Sequence, residues 1–78
     1  MIDRETLKPG TRVKIHGEPS GLTLPSHTGI IVGPDPLWEG YSLVRLDVPA
    51  RYHRPDGGID FLPEIREDDE NLDILPSR

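Results

Sequence analysis

Polar and apolar positions alternate from Thr11 onward. In "TRVKI", Val13 and Ile15 fall on one face and Arg12 and Lys14 on the other, the period-two pattern of a half-buried strand. With Pro9-Gly10 as a preceding turn, this predicts a first strand over residues 11–16. A long loop follows, rich in Gly and Pro and pinned by Leu22 and Leu24. "TGIIVG" is a short β-branched run bracketed by Gly29 and Gly33, which predicts a second strand over 28–33. "PDPLWEG" reads as a turn. "YSLVRLDV" predicts a third strand over 41–48, with Val44, Leu46 and Val48 on one face and Tyr41, Leu43 and Arg45 on the other. "VPARYHRPDGG" reads as a loop or distorted hairpin end. "IDFLPEIRE" predicts a fourth strand, in which Pro63 implies an edge or a bulge. "DDEN" has no β-branched or aromatic residue and leaves the strand. "LDIL" then predicts a short closing strand anchored by Leu72 and Ile74, entered through Asn71, which tolerates a tight turn.

Composition narrows this picture to one small domain. Of 78 residues, 21 are Leu, Ile, Val or Phe, enough to expect a folded core rather than disorder. Seventeen Gly and Pro residues, spread along the whole chain, leave little room for a long helix and suit short strands joined by turns. There is no Cys, so disulfides, thiol nucleophiles and thiolate metal sites are excluded. No apolar run approaches membrane-spanning length. "MIDRETLKPG" lacks the apolar stretch of a signal peptide, so the expected location is the cytosol. Net charge is −5 and unevenly placed: +1 over residues 1–54 and −6 over residues 55–78. This balance disfavours sequence-independent nucleic-acid binding, which depends on phosphate neutralisation by Lys and Arg.

The order "KPGTRVKI", long loop, "HTGIIVG", "YSLVRLD" and terminal "DDENLDIL" resembles the small SH3-like β-barrel over about residues 7–75. That resemblance implies an all-β fold of five short strands curled into a barrel, with "DDEN" as a single 3₁₀ turn before the last strand. Two branches share parts of the pattern. The opening is similar to the KOW motif of ribosomal proteins and transcription factors, through Val13, Ile15, Gly29 and Val32. "VRLD" followed by a loop and a late "NLDIL" is similar to the electron-transport accessory branch. That branch includes photosystem I subunit IV, the variable chain of ferredoxin–thioredoxin reductase and the β-subunit of nitrile hydratase, which are non-catalytic docking or assembly parts. The proline-peptide-binding SH3 family lacks a counterpart here, because its "ALYDY" stretch is absent.

Glu67, Asp68, Asp69, Glu70 and Asp73 have oxygen ligands to offer a cation, but no Gly provides the sharp turn of a calcium loop, so a solvated turn is the preferred reading. His16, His27 and His53 match no zinc spacing. Ser20, Ser26 and Thr28 lie near His27 without forming a recognisable triad. No cofactor, metal or enzyme activity is expected. Arg51, Tyr52, His53 and Arg54 stand together, near the strand that carries Arg45. Such interleaving suits either base stacking and phosphate contact or a protein-interface anchor, against the bland alternative of ordinary solvated side chains. Trp38 and Tyr41 flank Glu39-Gly40. Trp38 is read as a cap on the barrel mouth or as an exposed platform beside Tyr52. The expected function is a docking or accessory-subunit module for another protein, through Trp38, Tyr41, Arg45 and Arg51 to Arg54. A KOW-like nucleic-acid-binding domain is the alternative. No membrane partner is expected, and self-association stays open.

Overall fold

The computed structural model describes residues 7–17 and 21–76. Six antiparallel strands form the sheet: β1 (Arg12–Ile15), β2 (Leu22–Thr23), β3 (Thr28–Pro34), β4 (Tyr41–His53), β5 (Ile59–Asp68) and β6 (Leu72–Ile74). A 3₁₀ turn, Asp69–Asn71, precedes the last strand. Its N-cap is Asp68, whose carboxylate accepts from the Glu70 amide at 2.9 Å, the usual way an acidic cap satisfies an unpaired helix-start donor. A 3₁₀ turn before a short closing strand is therefore present as expected, although Asp68 still belongs to β5, and of the two expected anchors Leu72 is buried whereas Ile74 is 44% exposed. Leu72 and Ile74 pair with Ile15 and Val13 of β1.

Neighbouring strands run in the order β2-β4-β3-β1-β6, with β5 on β4. Alternation puts Val13, Ile15, Ile31, Val44, Leu46, Ala50, Ile65 and Leu72 into one core, which Leu7 and Leu24 also join. Burying an aliphatic side chain of this kind stabilises by about 1.5–3 kcal/mol, so a core of this size carries a domain of modest stability. At Gly29, β3 and β4 approach closely. A Cβ there would stand 2.5 Å from the Arg45 carbonyl oxygen and 2.9 Å from Val44 Cγ1.

Three expectations are corrected. The sheet has six strands rather than five, because Leu22–Thr23 inside the predicted long loop pairs with Tyr52 and Arg51. The third predicted strand does not stop at residue 48; β4 runs on to His53, so Arg51, Tyr52 and His53 lie on a strand and only residues 54–58 form the hairpin end. Val48 does not join Val44 and Leu46 in the core but is 43% exposed. The cause is a slip in pairing. Arg45 faces Glu64 and Ala50 faces Leu62, so residues 46–49 of β4 stand against the single residue Pro63 of β5. An irregularity of this kind bends a strand and interrupts its strict inside–outside order. It also accommodates Pro63, which has no N–H for a ladder. The bulge anticipated at Pro63 is thus present.

Candidate functional site

Near each end of β4, large exposed apolar side chains stand beside charge. The first is the connection between β3 and β4. Asp35 begins it, and its side chain has no solvent exposure. One carboxylate oxygen accepts from the Leu37 amide at 2.8 Å, an Asp-anchored turn of the kind short polar side chains make. The other carboxylate oxygen is ion-paired with Arg66 Nε of β5. Burial alone would push the Asp35 carboxyl up. The Leu37 amide, the Arg66 guanidinium and the Trp38 amide outweigh it and hold the pKa below the ordinary value. The Arg66 guanidinium also lies 6.0 Å from the Trp38 ring centroid, within cation–π range. Tyr41 meets Trp38 edge-on at 6.3 Å between centroids. The turn is closed by Asp35 N–H donating to the Tyr41 carbonyl at 2.9 Å. Its outcome is that Leu37 is 77% and Trp38 55% exposed. Trp38 is therefore a surface side chain and not a buried cap. It stands at the Tyr41 end of β4, away from Tyr52.

The acidic run beyond Arg66 is the expected solvated turn only in part: Glu70 and Asp73 are exposed and Asp68 is half-buried. Glu67 and Asp69 are buried. Ser42 Oγ donates to Asp69 Oδ1 at 2.5 Å, and Glu67 Oε1 accepts from Asn71 Nδ2 at 3.0 Å and from the Asp68 amide at 3.1 Å. These carboxylates fix the 3₁₀ turn against the start of β4.

The second place is the β4–β5 hairpin. Arg51 pairs with Phe61, Tyr52 with Asp60, and His53 with Ile59. Successive residues on a strand point to opposite faces. Arg51 and His53 thus share the outer face with Phe61 and Ile59, while Tyr52 shares the inner side with Ala50 and Leu62. Tyr52 leans toward β2, its ring beside Gly21. Arg54 is held at the hairpin end by Asp60 at 3.0 Å and Asp56 at 3.3 Å. The four side chains adjacent in sequence are therefore not one cluster.

Between these ends the outer face is laced by ion pairs. Arg45 Nη2 meets Glu64 at 2.8 Å, and Arg12 Nη1 meets Asp47 at 2.9 Å. Asp47 also accepts from Thr28 Oγ1 at 2.5 Å, and Thr28 and then Arg12 hold its carboxyl below the ordinary value. The Ser26 hydroxyl is turned to Thr28 Oγ1 at 2.9 Å. His16 pairs with Asp73. Sequence reasoning had passed over Asp35, Leu37, Arg66, Ile59 and Phe61. Asp35 followed two residues later by Leu37 carried a local turn signal, whereas its pairing with Arg66 is a long-range contact with no mark in the sequence.

Comparison of the chain with protein-family models, curated protein sequences and solved structures finds no match.

Proposed function

We propose that the chain is a non-catalytic SH3-like docking module that binds another protein through Leu37 and Trp38. The observation that carries this reading is the pinned turn. A fully buried carboxylate and a guanidinium from another strand hold a short connection in one shape, and that shape turns two large apolar side chains into solvent. Rigid aromatic anchors flanked by Arg are the residue types that dominate protein interfaces, and preorganisation lowers the ordering cost of binding. The SH3-like assignment draws support from the strand path β6-β1-β3-β4-β5 and the 3₁₀ turn before the last strand. The KOW-like alternative draws less: β4 sends Tyr52 and its Arg51 and His53 neighbours to opposite faces, and Arg54 is already occupied by two carboxylates.

The test is affinity capture from native cell extract, after nuclease treatment, with wild-type chain and with Leu37→Ser/Trp38→Ser. Both side chains are exposed, so the variant folds, which circular dichroism checks. Proteins retained by wild type and lost by the variant are the expected outcome. Equal retention by both chains would place the docking surface elsewhere. Capture that vanishes with nuclease would replace docking by nucleic-acid binding.

A further inference from the structure

Five arginines lie among the described residues, and four are neutralised within the chain: Arg12 by Asp47, Arg45 by Glu64, Arg54 by Asp56 and Asp60, and Arg66 by Asp35. Arg51 has no ion-pair partner among the described residues. Directly across from it on β5 stands Phe61, the chain's single Phe, 64% exposed. Next along the same face are His53 and Ile59, the latter also exposed. An isolated exposed Phe or a solvated Arg would need no explanation. Here an exposed aromatic and the one arginine without an ion pair among the described residues are cross-strand partners, and an exposed aliphatic lies beside them.

We infer that the outer face of the β4–β5 hairpin, Arg51 and His53 with Phe61 and Ile59, is a second docking surface whose occupant is an acidic segment of a partner protein that also carries an apolar side chain. Charge complementarity decides the sign. The carboxylates that share this face further along, Glu64 on β5 and Asp47 on β4, are each paired with an arginine, Arg45 and Arg12, while Asp60 lies on the other face with Tyr52, and both Asp56 and Asp60 are bound to Arg54. The carboxylates Asp68, Asp69 and Glu70 lie seven or more residues beyond Phe61 in the chain, at the end of β5 and in the 3₁₀ turn. At ~3.3 Å per residue that is on the order of 20 Å, beyond the ~8 Å screening length at physiological ionic strength. A carboxylate approaching Arg51 therefore meets a locally positive face. Arg offers it a two-pronged contact, while Phe61 and Ile59 require apolar area. Nucleic acid fits less well, because a polyanion is held by several cations in a row, and among the described arginines of this face only Arg51 is not already paired with a carboxylate. The surface is independent of Leu37 and Trp38, which lie at the other end of β4.

The test is selection of a displayed library of random peptides on the full chain, followed by fluorescence anisotropy with the enriched peptides. These are expected to join Asp or Glu to an aliphatic or aromatic residue. Arg51→Ser and Phe61→Ser should each weaken binding at least about tenfold, and Leu37→Ser/Trp38→Ser should leave it unchanged. Arg51→Glu should abolish binding and regain it with a peptide whose acidic residues are replaced by Lys. That exchange separates a direct contact from a loss of fold. Failure to enrich peptides, enrichment of basic ones, or affinity indifferent to Arg51 and Phe61 would overturn the inference. So would retardation of an RNA oligonucleotide that depends on Arg51, which makes phosphate the occupant. A concentration-dependent mass abolished by Phe61→Ser would overturn it too, because the occupant would then be a second copy of the chain.

Discussion

Asp35 shows how much one side chain can set. Buried and acidic, it would be costly alone, and it is stable only because amides and a guanidinium surround its charge. Because its folded pKa lies below the unfolded value, its contribution is full above the unfolded pKa of ~3.9 and is lost as pH falls through the folded pKa. Asp35→Asn should therefore lower the thermal midpoint at pH 7. The gap from wild type should shrink as pH drops below ~4, because protonated Asp35 no longer has the charge that the variant lacks. A gap that stayed constant to pH 2 would mean that shape and not charge makes the residue important. Gly29 gives a second residue-scale test. In the sequence it stands out only as a motif position, and the fold supplies the reason: β4 backbone occupies the space a side chain would fill. Gly29→Ala should cost about 1–3 kcal/mol in urea denaturation through overpacking. An unchanged midpoint would show that β3 and β4 do not approach so closely.

At the level of elements, legibility followed regularity. β1, β3 and β6 were readable because each keeps strict alternation or a β-branched run, even though β3 carries a register shift against β4 between Ile31 and Gly33. The far half of β4 was not. Pro49 and Pro55 in "VPARYHRPDGG" read as loop punctuation, whereas Pro49 sits in the pairing irregularity, where no ladder donor is required. The same slip took Val48 out of the core despite its correct parity. This error also governed the candidate site. A loop reading makes Arg51, Tyr52, His53 and Arg54 one cluster, but a strand reading divides them and brings Phe61 to Arg51. The buried Glu67 and Asp69 were equally hidden, since their partners Asn71 and Ser42 are set by the fold. β6 was legible, and its importance can be tested. Leu72 has no exposed surface and lies opposite Ile15. Leu72→Asp would bury a charge with no partner, which a small domain cannot sustain. The variant should lose its cooperative thermal transition and its native circular dichroism. Native-like melting would show that "LDIL" is dispensable.

Across the whole molecule, the connections differ in what they cost to close. β3, β4 and β5 are consecutive and are joined by the short segments 35–40 and 54–58. β6 instead pairs with β1, setting Val13 opposite Ile74, so nearly the whole chain lies within that loop. Loop-closure entropy grows with length, and non-local pairing is what slows β-rich domains to milliseconds or seconds. The β3–β4–β5 meander should therefore assemble first, with β6 closing over Val13 and Ile15 after the rate-limiting step. This order has a kinetic signature. Leu72→Ala, in β6, should cost about 2–5 kcal/mol, and Val44→Ala, in the centre of the meander, somewhat less because it removes one carbon fewer. In stopped-flow refolding and unfolding, Val44→Ala should chiefly slow folding. Leu72→Ala should chiefly speed unfolding and leave the folding rate nearly unchanged. Should Leu72→Ala slow folding as much as Val44→Ala, the long-range β1–β6 pairing would already be present at the transition state. The two ends of the chain would then meet early, and the short connections would not set the order of assembly.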